Sequence, residues 1–142
     1  MQNLEDVLKN LIVSLRNNFK TISANKEFPL VQVRPPKSSG VYMLFFDGEL
    51  QYIGFSANLF ERLRGNLLSG DKKSHTLINK LCELREWDEL ITVDYLKSNS
   101  TVKFLQTKTE DDAKILEGVL IAIHHPFFNI PLRKLRKMKA SS

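Results

Sequence analysis

The chain has very little cysteine and no long apolar run. Cys82 is the single cysteine among 142 residues, so neither an internal disulfide nor a metal site built on several thiolates can form. No stretch approaches the roughly 20 consecutive apolar residues that a membrane-spanning helix needs, and the first residues do not resemble an export signal. We therefore expect a cytoplasmic protein without a membrane segment.

The C-terminal segment lacks acidic residues. Residues 131–142 hold five basic side chains, and the rest of the chain carries 16 of each sign, so this segment accounts for the net charge of +5. A basic segment suits a polyanion such as nucleic acid, and a solvated, partly disordered terminus explains the composition equally well. The five residues are Arg133, Lys134, Arg136, Lys137 and Lys139.

Composition and periodicity indicate one small domain. A chain of 142 residues, 42% hydrophobic and 26% charged, can bury a core. Apolar residues at helical spacing predict an N-terminal helix over 3–22, followed by a Pro-containing connector with a short extended piece at 30–33. We interpret residues 1–38 as this helix and connector, 39–131 as the main domain and 132–142 as a basic tail. The helix either packs on the domain or binds a partner or a second copy.

The main domain is predicted to mix strands and helices. The pattern indicates a hairpin at 40–54, a helix capped by Ser56 or Asn58, a helix from Ser74, strands at 90–96 and 101–106, and a helix capped by Thr109. This order predicts an α+β fold, in which a small antiparallel sheet of three to four strands is flanked by helices.

The hairpin, GVYMLFFDGELQYIG, carries a tyrosine and a glycine on each arm. A two-residue turn at Asp47-Gly48 would put Tyr42 and Tyr52 on opposite faces of the sheet, whereas a three-residue loop would pair them directly and would pair Gly40 with Gly54. The residues alone permit both turns.

Glu117 is conspicuous because most of its helical neighbours are apolar. An unpaired carboxylate in an apolar setting costs several kcal/mol. We therefore expect either a salt bridge to a lysine or a divalent cation at this position, with Mg²⁺ completing its shell with water.

Five elements of this sequence resemble the signature of the GIY-YIG nuclease superfamily. The two tripeptides Gly40-Val41-Tyr42 and Tyr52-Ile53-Gly54 are followed by an arginine on a helix, a glutamate on a later helix, and an asparagine near the domain's end. Homing members also have a histidine at the start of the helix after the arginine helix. The matching residues, spread over about 90 positions, are Gly40, Tyr42, Tyr52, Gly54, Arg62, His75, Glu117 and Asn129.

The resemblance implies a metal-dependent DNA endonuclease with a catalytic domain at 39–131. It implies that Tyr42 takes a proton from the attacking water, that Tyr52 orients water and phosphate, and that Arg62 grips the phosphate. Glu117 would hold Mg²⁺ or Mn²⁺. Gly40, Gly54 and Asn129 would support the site, and His75 would assist proton transfer or contact the phosphate. We expect nucleic-acid contacts from Arg64, Lys72, Lys73 and the basic tail.

Two positions depart from the family pattern. Phe55 stands where many members have a lysine, and Asn66 stands where many have a tyrosine or histidine. Both departures remove a charge or a proton-transfer group. The alternative function is therefore a weakly active or inactive nucleic-acid-binding module on the same fold. The residues favour DNA and leave RNA open as the polyanion.

Overall fold

The computed structural model describes residues 3–69 and 75–141. Its sheet is antiparallel, with the spatial order β1-β4-β2-β3, so β3 lies at an edge. The predicted α+β class with a four-stranded sheet is confirmed. The strands are β1 Phe28–Pro29, β2 Gly40–Phe46, β3 Glu49–Ser56 and β4 Thr101–Gln106.

Helices cover both faces of the sheet. A π-helical segment, Glu61–Asn66, continues into the helical turn Leu67–Ser69, and we label the two together α2. Short 3₁₀ turns lie at Leu30–Gln32 and Phe127–Asn129. The other helices are α1 Leu4–Ala24, α3 Thr76–Arg85, α4 Glu89–Asn99, α5 Glu110–His124 and α6 Leu132–Ala140.

The central strand β2 is buried on both sides. Tyr42, Leu44 and Phe46 face a core made with α2, α3 and α4. Val41 and Met43 face a second core made with α1 and α5. Burying a side chain of this size contributes about 1.5–3 kcal/mol, so the two apolar layers fix the strand from both faces.

The prediction of a strand at 90–96 is wrong, because these residues lie in α4. Asp88 caps the helix by accepting a hydrogen bond from the Ile91 N–H at 2.8 Å. Thr92, Val93 and Leu96 are its buried residues, which is a helical spacing. Residues 97–100, which separate the two predicted strands, are accordingly the end of this helix. Packing of one helical stripe outweighs the β-propensity of the isoleucine, threonine and valine.

The connector and the C-terminal segment also differ from expectation. Residues 30–32 form a 3₁₀ turn, and the extended piece is instead Phe28–Pro29, which pairs with β4. The basic segment folds as α6, which buries Leu135. Arg136 donates two hydrogen bonds of 2.6 Å to the Glu83 carboxylate on α3. Ser74, the predicted start of the second helix, lies outside the described residues.

The predicted N-terminal helix is confirmed. Phe19 and Ile22, near its C-terminal end, join the core beneath α5. Its first two turns, by contrast, expose Leu4, Val7 and Leu8. None of the helices within 3–69 and 75–141 is long and apolar enough to cross a membrane.

Candidate active site

The hairpin uses the two-residue turn together with a bulge. Asp47 and Gly48 both have positive φ, 55° and 80°, as a type I′ turn requires. Phe46 pairs with Glu49, but the register shifts after Phe45, and Tyr42 then pairs with Gly54. The observed strand register therefore matches neither of the two expected from the sequence. Gly40 pairs with Ser56 and not with Gly54.

The bulge puts both tyrosines on one face. Tyr52 pairs with Leu44, two residues from Tyr42 along β2, and residues two apart share a face. The ring centroids of Tyr42 and Tyr52 lie 6.2 Å apart. Tyr42 and Tyr52 are thus diagonal neighbours on adjacent strands. They share a face because the bulge adds one residue to β3.

The glycines at both ends of the hairpin allow close approach. A Cβ atom on Gly54 would lie 2.5 Å from Cζ of the Tyr42 ring, and one on Gly40 would overlap the Leu105 carbonyl oxygen. Gly54 therefore leaves the space that the Tyr42 ring occupies across the strand.

His75 fixes the hydroxyl of Tyr42. The His75 Nε2 lies 2.9 Å from the Tyr42 Oη, and its Nδ1 accepts a hydrogen bond from the Leu77 N–H at 3.2 Å, capping α3. A neutral imidazole with an accepting Nδ1 carries its proton on Nε2. His75 therefore donates to the Tyr42 oxygen.

Burial keeps this pair neutral. Tyr42 and His75 are each 1% exposed. Burial, with a smaller effect of the Arg62 charge, lowers the pKa of His75 to about 3. Burial, reinforced by Tyr52, raises the pKa of Tyr42 well above its usual value, and Arg62 acts in the opposite direction. The pKa of Tyr52 rises to about 12, mainly through burial and then through the Glu117 charge.

Arg62 projects from the π-helical part of α2. Asn58 caps this element by accepting from the Glu61 N–H at 3.0 Å, and the Leu67 N–H reaches the Arg62 carbonyl, five residues back. Such widened turns frequently occur at functional sites. Nothing in the sequence pattern indicated this widening.

Glu117 reaches the site around the edge of the sheet. Its helix, α5, packs on the face opposite the tyrosines, yet its side chain lines the same cleft as theirs. Burial raises the pKa of Glu117, and the backbone N–H of Phe55 on β3 partly opposes the rise. Among the described residues, the expected salt bridge between Glu117 and a lysine is not formed.

A cleft of about 480 Å³ brings the groups together. Tyr42, Tyr52, Arg62 and Glu117 all line it, whereas His75 supports Tyr42 from outside the lining. Sequence reasoning missed several lining residues because no motif marks them. These are Ser56, Asn58, Glu61, Thr76 and Glu110.

Asn129 joins the end of the domain to the edge strand. Its Oδ1 accepts from the Ile53 N–H, and its Nδ2 donates to the Ile53 carbonyl, both at 2.8 Å. The side chain thus hydrogen-bonds to β3 as a neighbouring strand would, at the residue between Tyr52 and Gly54.

The donor set of the cleft fits one hard cation with few protein ligands. No group of three His, Cys, Asp or Glu residues suited to a metal exists within 3–69 and 75–141. Mg²⁺ is commonly held by one or two carboxylates, with water and substrate phosphates as its other ligands. A carboxylate has enough lone pairs to bind a cation and accept the Phe55 N–H together.

The two departing positions have different surroundings. The Lys114 ammonium on α5 lies 5.6 Å from the centroid of the Phe55 ring, so a positive charge is present beside the position that lacks the lysine. Asn66 lines the cleft.

The basic residues predicted to contact nucleic acid fall into three groups. Arg64 donates to the Leu30 and Val31 carbonyls at 3.3 and 2.9 Å, which ties α2 to the connector. Lys72 and Lys73 lie outside the described residues. On α6, Arg136 and Lys139 contact Glu83. Arg133, Lys134 and Lys137 are exposed.

Sequence comparison finds similar segments in curated proteins. The UvrABC system protein C of Dictyoglomus thermophilum is 32% identical over 100 residues, covering 69% of this chain and 14% of the relative. That of Bdellovibrio bacteriovorus is 33% identical over 104 residues, covering 69% and 13%. The chain thus spans about one seventh of the length of these relatives. No protein-family model matches it.

Structure comparison finds the GIY-YIG N-terminal endonuclease domain of UvrC from Thermotoga maritima, bound to its catalytic divalent cation, magnesium. It is 27% identical, with a TM-score of 0.43, and the match covers 67% of this chain and 86% of that one. The chain is therefore similar to a domain of the GIY-YIG superfamily, as the order of its five motif elements predicts.

Proposed function

We propose that this protein is a metal-dependent endonuclease that hydrolyses phosphodiester bonds in DNA. The observation that carries the proposal is the convergence of Tyr42, Tyr52, Arg62 and Glu117 on one cleft. Hydrolysis needs a proton acceptor for the attacking water, positive charge around the phosphate, and stabilisation of the leaving oxygen. The cleft supplies a group for each requirement.

Tyr42 is the proton acceptor in this proposal. Its phenolate form takes a proton from the water whose oxygen attacks phosphorus, while the bond from phosphorus to the leaving oxygen breaks. Burial disfavours the phenolate, but the Nε2–H of His75 and the charge of Arg62 favour it. His75 therefore acts as a fixed donor to Tyr42. Its burial outside the cleft argues against the contact with phosphate that the sequence suggested.

Arg62 and Tyr52 bind the phosphate. A guanidinium can donate to two phosphate oxygens and stabilise the charge that develops on them. Tyr52, beside Tyr42 on the same face, orients the water and phosphate. Glu117 holds Mg²⁺ or Mn²⁺, which when bound polarises the phosphate and stabilises the leaving oxygen.

A cleavage assay tests this proposal. The wild type, Tyr42→Phe and Glu117→Ala are incubated with supercoiled plasmid, branched duplexes and RNA, in Mg²⁺, Mn²⁺ or EDTA. We expect metal-dependent nicking of DNA that disappears in both variants, while their affinity for DNA remains. Cleavage that persists in EDTA or in Glu117→Ala would refute the proposal.

A catalytically weak or inactive nucleic-acid-binding module is the second candidate. It is favoured by Phe55 and Asn66, which lack the usual charge or proton-transfer group, and by the burial that opposes ionisation of Tyr42. In that case the wild type binds DNA and cuts none of the substrates in either metal.

We further propose that the exposed residues of α6 contact backbone phosphates. Arg136 is engaged by Glu83, so Lys134 and Lys137 are better placed to do so. Each phosphate contact adds about one to the slope of log affinity against log salt. Replacing Lys134 and Lys137 by alanine should therefore lower that slope by about two, and Arg136→Ala is the control with the smaller change. An unchanged slope in the double variant excludes these contacts.

The exposed apolar surface at the start of α1 is proposed to bind a protein partner or a second copy. It comprises Leu4, Val7, Leu8 and Ile12. Deleting the whole helix would also remove the buried Ile22, so Leu4→Glu with Leu8→Glu is the better variant. Sedimentation velocity and partner retention should change in this variant, and unchanged behaviour in both measurements rejects the surface.

A further inference from the structure

Helix α3 contacts the hairpin at both of its ends. His75, at its N-terminal cap, donates to Tyr42, and Arg85, at its last turn, forms an ion pair with Asp47 in the turn. The ten steps from His75 to Arg85 rise about 15 Å along a helix, and the five steps from Tyr42 to Asp47 span about 17 Å along a strand. The helix therefore matches the strand in length, and Lys80 lies midway along it.

Lys80 is an unusual residue for this position. It is 5% exposed, and burial lowers the pKa of its ammonium. Its Nζ donates to the Phe128 carbonyl at 2.7 Å, and no carboxylate of the described residues forms an ion pair with it. Burying an ammonium costs several kcal/mol, and an apolar side chain of similar size would avoid that cost.

The carbonyl that Lys80 binds belongs to the peptide unit preceding Asn129. The N–H of the same unit donates to the Pro126 carbonyl at 3.1 Å. Because a peptide unit is planar, these two hydrogen bonds together orient it and the Cα atom of Asn129. Asn129 in turn makes its two 2.8 Å hydrogen bonds with Ile53, directly after Tyr52.

We propose that Lys80 is a positioning residue for Tyr52, acting through the Phe128 carbonyl and Asn129. It connects the helix that carries His75 to the edge strand that carries Tyr52, so both phenol rings are held by one helix. The role in cleavage rests on the proposed nuclease function, whereas the mechanical connection does not.

Amide hydrogen exchange tests the connection without activity. In Lys80→Met the Ile53 N–H should exchange on the order of tenfold faster, because Asn129 loses its orientation. The Gly54 N–H, in the pairing of β3 with β2, should remain protected. The control is Lys97→Met, the same substitution at an exposed lysine of α4, which should leave Ile53 as in the wild type.

A double-mutant cycle with Asn129→Ala tests the consequence for cleavage. Lys80→Met alone should lower kcat about ten- to a hundredfold, as loss of positioning does, with little change in KM for DNA. Added to Asn129→Ala it should cause little further loss, and Lys97→Met should leave kcat unchanged in either background. If Lys80→Met does not fold, Lys80→Leu, which also lacks an N–H donor, replaces it in both experiments.

Unchanged Ile53 exchange, or additive effects of Lys80→Met and Asn129→Ala on kcat, would overturn the proposal. A wild-type protein that fails to cleave would instead refute the nuclease function. The exchange measurement would still decide whether Lys80 holds the edge strand.

Discussion

The two sides of the edge strand β3 present different chemistry to the same cleft. On the side of α3, Tyr42 and His75 are almost fully buried and neutral, and they are fixed by hydrogen bonds. On the side of α5, Glu117 is half-buried, and the backbone N–H of Phe55 at the strand's edge lowers its pKa against the effect of burial. The neutral hydrogen-bonded groups lie within the core, and the carboxylate lies where water can solvate it.

This difference depends on β3 being an edge strand. A further strand hydrogen-bonded to β3 would occupy the N–H groups of Ile53 and Phe55, which Asn129 and Glu117 use. Because those groups face away from β2, a side chain from the opposite layer can reach the tyrosine face. We therefore expect substitutions on the Glu117 side of β3 to lower activity without lowering stability. Substitutions on the side of Tyr42 and His75 should change both activity and stability.

Glu117→Gln should have the largest effect on activity. The amide can still accept the Phe55 N–H, but it loses the charge that would hold a cation. Losing several kcal/mol of electrostatic stabilisation lowers kcat by at least about a thousandfold. At pH 7 the unfolding free energy should rise by up to about 1 kcal/mol, because burial disfavours the charged carboxylate.

Both quantities can be measured on one preparation, by single-turnover cleavage and by urea unfolding. Glu89→Gln, at an exposed acidic residue of α4, is the matched control and should change neither by much. A Glu117→Gln protein that loses stability together with activity would show that the carboxylate supports the fold.

The pH dependence of cleavage tests Tyr42 on the buried side. Since burial raises its pKa well above the usual value, the phenolate is a minor species near neutral pH. Its population, and hence kcat, should increase about tenfold per pH unit between pH 6.5 and 8.5. Tyr42→Phe should be about a hundredfold slower or worse and should lose this rise, whereas Tyr52→Phe should keep it. The same rise in Tyr42→Phe would assign the proton to another group.

The sequence predicted which residues come together better than it predicted how they are arranged. Tyr42, Tyr52, Arg62 and Glu117 were identified by motif order, and the structure brings them to one cleft. The register was not predictable, because it depends on an irregularity one residue long in β3. Turn chemistry alone permits several registers, and only packing against the two cores selects among them.

Lys80 and the segment 90–96 show two other limits. The segment is rich in β-branched residues, and tertiary packing made it helical. In the sequence, Lys80 is indistinguishable from an exposed polar residue of a helix. Its burial depends on the 3₁₀ turn Phe127–Asn129, whose Phe128 carbonyl it binds. Local pattern carries no information on contacts between residues almost 50 positions apart.

Gly54→Ala should lower both the activity and the stability of the protein. Its Cβ would lie 2.5 Å from a ring atom of Tyr42, which cannot move freely because His75 holds its hydroxyl. Overpacking of this kind costs about 1–3 kcal/mol, and displacing the Tyr42 oxygen should also lower kcat. Gly118→Ala on α5 is the control, because its Cβ meets no atom within 4 Å. It should stabilise the helix by about 0.5–1 kcal/mol. A Gly54→Ala protein as stable and active as the wild type would mean that the hairpin relaxes easily.

The smallest expected effect is the pH dependence that His75 imposes on folding. Its pKa is about 3 in the folded protein and about 6.5 when unfolded, so between these values the unfolded chain binds more protons. Stability is therefore present above pH 6.5 and is lost as the pH falls, by about 2 kcal/mol between pH 6.5 and 4.5. His75→Gln should flatten this part of the urea-unfolding profile, and His124→Gln, at an exposed histidine, should not. An equal slope in the wild type and His75→Gln would mean that the imidazole is solvated, and the contrast between the two sides of β3 would no longer hold.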